Sequence, residues 1–588
     1  MKDFFRFTFA SMLGIILASI FFATLGIVIL TGIIVSSFTE TTVKDNSIFA
    51  LKLEGTLTEH VQESPFNILE TLMEEDHQVY GLNDILASIQ KAKHNPYIKC
   101  IYLQAGMMDA PYASFEEIRN ALIDFKSSGK PIIAYADQYT QGMYYLASVA
   151  DKIIINPQGS IMWHGIASET VFYKDLLKKV GIDMQIFKVG TYKSAVEPYI
   201  ATEMSEANRQ QVSAVIQSYW DWMLKNVSAS RNIPADILNK YANEYMDLKQ
   251  ANEYIACGLA DTLLYKDGVL NYLKELSGCN TETNLSILSL EDMASLNAHE
   301  PPMNEQSTIA VYYANGAIDD SISPEEGINS EKVIHDLRKL REDENVKAVV
   351  FRVNSPGGSA YGSEQIWREV TLLKEVKPIV VSMGDYAASG GYYISCAADC
   401  IVANPTTLTG SIGIFGMIPN AEGLLTDKLG LHFDIVKTNP LADMGNYTRP
   451  LNATEKQVMQ NYVDQGYQLF VKRCADGRGM TTEAIEKVAE GRVWTGTAAK
   501  ELGLVDELGG LDKAIEIAAQ KAGITTYEVS DYPVQDFWRV LLNNKKDSYI
   551  EGKISETLGD FYHYSKLIQG LKNAYPVQAR LPFELRIK

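Results

Sequence analysis

This chain is one unit written twice, and that limits its fold more than any other feature. Residues 144–157 read YYLASVADKIIINP and residues 392–405 read YYISCAADCIVANP, with seven of fourteen positions identical at an offset of 248. The same offset lays KCIYLQAGMMDAPYASFEEI (99–118) on KAVVFRVNSPGGSAYGSEQI (347–366) in apolar pattern. At nearly the same spacing, GLAD (258–261) echoes GLVD (503–506). A spacing kept over separate blocks marks a duplicated unit. Within a copy, short apolar runs alternate with helix-patterned stretches. KAVVFRV ends at the turn NSPGGS, SEQIWREVTLLKEV has helical spacing, KPIVVSM is a buried-type strand, and YYISCAA and CIVANP follow as helix and strand. Strand–helix alternation predicts an α/β fold with mainly parallel pairing, and unbroken apolar strands suit a sheet covered on both faces.

The ends of the chain fall outside the repeat. From Thr8 to Thr39 no residue is charged, a run of 32 positions. About 20 apolar residues cross a bilayer core, so this run predicts one transmembrane helix. Lys2 and Arg6 precede it, which places the N-terminus in the cytoplasm and the body across the membrane. The run is about twice the usual apolar length of a cleaved secretion signal, favouring an uncleaved anchor. The expected layout is a cytoplasmic stub and anchor (1–46), a first repeat (47–279), an Asn-, Ser-, Glu- and Pro-rich linker (280–306), a second repeat (307–527) and a C-terminal tail (528–588) matching neither copy.

Composition removes several functions. The net charge of −20 over 588 residues opposes nucleic-acid binding, which needs clustered Lys and Arg. Six cysteines form no CxxC pair; Cys396 and Cys400 lack the further ligands of a zinc site, so no metal is expected. NSPGGSAYG lacks the Lys-Ser/Thr ending of a phosphate-binding loop, and no cofactor is expected. The carboxylates Glu501, Asp506 and Glu507 read as a solvated face.

Chemistry is expected where the copies differ. In the second copy, a strand runs into GDYAASGGYY, placing Ser389 at a strand-to-helix turn before Gly390 and Gly391. Glycine there lets a substrate approach the backbone, and a helix N-terminus offers free N–H groups to an oxyanion. The first copy has Gln141 and Met143 in place of Ser389 and Gly391. NSPGGS (354–359) adds Gly357 and Gly358, where the first copy reads GMMDAP (106–111). Ser389 is thus either a nucleophile or a helix N-cap, and the glycines oxyanion donors or tight-turn residues. A serine nucleophile needs a base. The eight histidines lie in unremarkable contexts, His164, His335 and His432 being the residual candidates. The alternative is a desolvated lysine, and Lys193 in FKVGTYKSAVEPY has no counterpart in VKTNPLADMGNY of the second copy. Its plain reading is a solvated loop lysine.

GTYKSAVEPY with MGDYAASGGYY, behind one N-terminal span and over nearly the whole chain, resembles the long, two-repeat form of the bacterial signal peptide peptidase A (protease IV) family. The resemblance implies a Clp-protease/crotonase-like fold for each copy and a Ser–Lys dyad, with Ser389 as nucleophile and Lys193 as base. It implies Gly390, Gly358 and Gly357 as oxyanion-hole residues. It also implies a homotetramer on the periplasmic side of the inner membrane, anchored in the bilayer through residues 8–39. Its substrates would be cleaved signal peptides and other apolar extended peptides. Two other functions fit the fold: a crotonase-type acyl-CoA enzyme, disfavoured by export away from CoA, and a catalytically silent membrane scaffold.

Overall fold

The computed structural model describes residues 43–61, 79–279, 285–296, 307–319, 327–533 and 577–581, with scattered residues between 7 and 24. Most of 8–39, read above as a span, lies outside the described residues. Among the described residues, no helix is long and apolar enough to cross a membrane.

Each copy builds its own sheet. Among the described residues the first has seven strands, all parallel, in the order Val79–Gly81, Ser47–Thr58, Ile98–Asp109, Ile132–Tyr139, Lys152–Ile161 and Thr262–Leu263, with Ile287–Leu288 added beside Ser47–Thr58. The second runs Val493–Thr495, Leu408–Gly410, Ile379–Ala388, Val346–Ser355, Thr308–Asn315 and Glu528–Tyr532; Cys400–Ala403 joins Ile379–Ala388 and carries Glu507–Leu508. Only its Val493–Thr495/Leu408–Gly410 pair is antiparallel. Val349, Val350, Phe351 and Val353 have no exposed surface. Val350 packs with Ala514 and Ala518 of helix Leu511–Ala522, while Phe351 and Val353 share a core with Ile366, Val370 and Tyr392 on the other face. Both faces are covered, so these strands carry no polar alternation.

The GLAD/GLVD echo has a physical cause. Asp261 accepts from Ile153 N at 2.7 Å and pairs with Arg231; Asp506 accepts from Ile401 N at 2.7 Å and pairs with Arg478. Each carboxylate pins the start of a strand in its own copy. Asp506 is therefore not part of a solvated face, and the Arg478 guanidinium holds its carboxyl below the usual range despite partial burial. The linker and tail are also less detached than their composition suggests. Leu290–Ser295 forms a short helix that buries Met293 on the first body, and residues 528–532 add a strand to the second.

A third sheet crosses the boundary between copies. Its order is Gly357–Ser359, Val577–Arg580, Phe415–Asn420, Asp183–Lys188, all antiparallel. Asp183–Lys188 belongs to the first copy, yet it pairs over six residues with Phe415–Asn420 of the second, from Lys188↔Phe415 to Asp183↔Asn420. The loop after Lys188 is thereby delivered into the second copy.

Candidate active site

That loop carries Lys193. Val189 N donates to Ile414 O at 3.3 Å and Tyr192 N to Glu490 O at 3.0 Å, fixing its backbone to the second copy. Gln211, from the first-copy helix Glu206–Arg231, donates to Tyr192 O at 3.0 Å and accepts from Val493 N at 3.3 Å. Gly413 and Gly491 flank the lysine stem: a Cβ on Gly491 would lie 2.7 Å from Lys193 Cβ. Lys193 is not a solvated loop lysine. It has no exposed surface, and burial pushes its amine well below the ordinary lysine value.

Ser389 lies at the end of strand Ile379–Ala388, with helix Gly390–Ser395 following. Its φ of 57° and ψ of −113° are rare for a residue with a Cβ, a strain of about 1–3 kcal/mol that sites of chemistry tend to hold. Ser389 N donates to Gly410 O at 2.8 Å, which holds the turn. Ser389 does hold the N-cap position of that helix, but its hydroxyl makes no capping bond. Instead Ser389 Oγ lies 2.7 Å from Lys193 Nζ. Lys193 Nζ also lies 3.1 Å from Ser411 O and 3.0 Å from Ser411 Oγ. Sequence reading missed Ser411. The position 248 before it is Trp163, so the repeat gives no hint of a hydroxyl there.

The glycines differ in their duties. Gly391 lets the helix press on strand Val346–Ser355: a Cβ there would sit 2.6 Å from Ser355 O. Gly391→Ala is therefore expected to lower stability by about 1–3 kcal/mol and to depress peptide hydrolysis by displacing the Ser389 turn. Thermal unfolding and turnover of one fluorogenic peptide measure both. Gly357 N donates to Ser355 Oγ at 3.1 Å. Ile318 N donates to Gly357 O at 3.0 Å, and Ser359 N donates to Ile318 O at 2.6 Å. Strand alternation then turns the N–H and C=O of Gly358 the other way.

The first copy is closed at the matching place. Gln141 accepts from the N–H groups of His164 and Gly165 and donates to Gly165 O, all at 3.1 Å. Gly142 matches Gly390, but the Phe115 ring lies where Ser363 lies in the second copy, 2.6 Å from a Cβ built on Gly142. One glycine-lined turn with a serine survives, served by a lysine from the other copy.

A serine at a strained strand-to-helix turn, facing a desolvated amine, belongs to the hydrolytic serine enzymes. Residues 124–280 and 371–525, together more than half of the chain, match Peptidase family S49, and the chain belongs to that family of serine proteases. Among its relatives, "Protease 4" of Salmonella typhi is 41% identical over 77% of this chain and 74% of its own length. "Protease 4" of Haemophilus influenzae is 36% identical over 81% and 78%, and "Serine protease SPPA, chloroplastic" of Arabidopsis thaliana 32% over 82% and 70%. Among solved structures, a ClpP1 mutant from Listeria monocytogenes aligns with 36% of this chain and 95% of its own at 16% identity, with a TM-score of 0.24.

Proposed function

We propose that the chain is a membrane-anchored endopeptidase in which Ser389 is the nucleophile and Lys193 its general base. The observation that carries this reading is the 2.7 Å separation of Lys193 Nζ and Ser389 Oγ, with both side chains fully buried. A neutral amine has two N–H donors and one lone pair. Ser411 O and Ser411 Oγ take the two donors, leaving the lone pair for the Ser389 hydroxyl. Ser389 Oγ attacks the scissile carbonyl while its proton passes to Lys193. The N–H groups of Gly358 and Gly390 hold the oxyanion. Gly357 is set aside from this role because its N–H is given to Ser355. Lys193 returns the proton to the leaving amine, and water then hydrolyses the acyl-enzyme.

The substrates in this reading are apolar extended peptides, cleaved signal peptides above all. The 32-residue uncharged run supports anchoring through residues 8–39, with the body on the periplasmic side of the inner membrane. The homotetramer comes from the family resemblance, and pseudo-symmetry supports only head-to-tail pairing of copies. Within the chain, 183–188 pairs with 415–420; the offset of 248 maps these onto 431–436 and 167–172. Residues 431–436 are exposed throughout, with apolar Leu431, Phe433 and Ile435 alternating. Adding 431–436 of one protomer to 167–172 of the next repeats the internal pairing head to tail, and in the proposed homotetramer four such contacts would close a ring.

The test is hydrolysis of quenched signal-peptide-like substrates by the full chain in detergent micelles. Ser389→Ala and Lys193→Ala are expected to be inactive yet folded, with His164→Ala unaffected. Full activity in Ser389→Ala would put the nucleophile elsewhere. An inert wild type would favour the silent scaffold.

A further inference from the structure

Lys193 and Ser411 come from different copies, and one side chain bonds to the backbone of both neighbourhoods. Gln211, on helix Glu206–Arg231, donates through Nε2 to Tyr192 O, the carbonyl just ahead of Lys193, at 3.0 Å. Its Oε1 accepts from Val493 N at 3.3 Å. The carbonyl of Arg492, one residue before Val493, accepts from Ser411 N at 2.7 Å. Lys193 Nζ closes the circuit, 3.1 Å from Ser411 O and 3.0 Å from Ser411 Oγ. The Gln211 amide has one workable orientation, because Tyr192 O only accepts and Val493 N only donates.

A buried network holds that amide. Nε2 also lies 2.9 Å from Ser194 Oγ and 3.2 Å from Asn208 Oδ1, and Ser194 Oγ donates to Asn208 Oδ1 at 2.8 Å. Asn208 Nδ2 donates to Glu197 Oε2 at 3.0 Å, and Ser205 Oγ donates to Glu197 Oε1 at 2.6 Å. Gln211, Asn208, Ser194 and Glu197 are all buried. A carboxylate only accepts, so Glu197 fixes which way each amide faces, as far as Tyr192 O. Packing does not call for this: Val212, Val215 and Tyr219 of the same helix are buried without such a network. The matching helix of the second copy, Ala453–Arg478, aligns through the N-caps Ser205 and Asn452 and the last residues Arg231 and Arg478. It has Val458, exposed, in place of Gln211. The buried amide stands only in the copy that supplies the base.

We propose that Gln211 is the positioning residue of the base: it ties the Lys193 loop to the Ser411 segment across the boundary between the copies and so aims the amine at Ser389. This rests on the dyad reading above. Without the amide, Tyr192 O and Val493 N lose a shared partner, and water enters to satisfy them. Water beside Lys193 relieves the burial that holds its amine low, and the amine moves back up toward its ordinary value.

The experiment measures kcat and kcat/KM across pH for the full chain in micelles, on one quenched peptide, per amount of folded enzyme judged by circular dichroism. Gln211→Met matches the length and lacks the polar groups. It is expected to lose on the order of 10²-fold in kcat with KM little changed, and its kcat/KM limb should move to higher pH. Gln211→Glu keeps an acceptor for Val493 N and, while its carboxyl is protonated, a donor for Tyr192 O. Its activity should exceed that of Gln211→Met most at the acid end, and the advantage should fade as the introduced carboxyl ionises. An amide that merely packs would lower the melting temperature of both variants and leave kcat and the limb where wild type has them, which overturns the inference. Should Gln211→Met not fold, a Gln211→Glu profile parallel to wild type overturns it equally. Peptide cleavage by Ser389→Ala or Lys193→Ala would instead overturn the dyad.

Discussion

Replacing Lys193 by methionine is expected to lower kcat on the order of 10³-fold, with little change in KM and a higher melting temperature. The loss follows from the site. Lys193 Nζ is 2.7 Å from Ser389 Oγ, and the other groups bonded to that amine come from Ser411. Among the described residues, no other side chain is hydrogen-bonded to Ser389 Oγ, whose second contact is the Gly413 carbonyl at 3.4 Å. The gain in stability follows from the same burial. The amine titrates well below its ordinary value of 10.5 in the folded chain, so folding expels a proton throughout the range between the two values. The penalty is complete below the folded value and fades as pH rises toward the unfolded one. Methionine removes it, most visibly at neutral and acid pH. Lys193→Arg separates a base from a mere cation: arginine keeps the charge, does not deprotonate, and should be as inactive as methionine. In wild type, kcat/KM should rise with pH through the folded value of Lys193. Ser411→Ala, which removes one acceptor from the amine, should move that limb and leave the fold intact.

Much of this site was legible in the sequence because duplication supplies its own control. Ser389 differs from Gln141 at matched positions, and the α/β pattern of each copy is written in unbroken apolar runs. What could not be read was how the copies meet. Lys193 reaches Ser389 because Asp183–Lys188 pairs with Phe415–Asn420, more than 200 residues later, and neither segment has a pattern specifying that partner. Val577–Arg580 is four residues long, too short for periodicity to declare it a strand. Asp506 looked solvated among neighbouring acids because its partners, Arg478 and Ile401 N, are distant in sequence. Charged residues buried by partners from another segment are invisible to composition, and the boundary between the copies depends on a group of them.

Arg352→Met is expected to cost about 3–5 kcal/mol of stability at pH 8 and to abolish activity, although Arg352 touches neither dyad residue. Arg352 is 1% exposed; its Nε lies 2.8 Å from Glu59 Oε2 and its Nη2 lies 2.7 Å from Glu117 Oε1, both carboxylates coming from the first copy. Glu117 also accepts from Asn404 at 2.8 Å and Leu511 N at 3.1 Å of the second copy. Four residues ahead of Ser389 on its strand, Asp385 accepts from Ser114 N at 2.9 Å and Ser114 Oγ at 2.9 Å, tying a first-copy helix to the strand that bears the nucleophile. Without the guanidinium, the Glu59 and Glu117 charges are buried with no cation between them, and the contact that brings Lys193 to Ser389 loosens. The deficit should shrink as pH falls, because protonated carboxyls no longer need the cation. Burial already raises Glu59, with Arg352 opposing and the Glu117 charge adding to the rise. Burial, and next the Glu59 charge, push Asp385 up to about 7. Asp385 thus takes up a proton on folding between its ordinary 3.8 and about 7, and wild-type stability should decline as pH rises through that window, then level off. Asp385→Asn keeps an acceptor for Ser114 and has no proton to lose, so it should flatten that decline while Arg352→Met steepens it. Melting curves of the three proteins at pH 5, 6.5 and 8 decide the matter; parallel curves would mean that the cluster neither titrates in this range nor holds the two copies together.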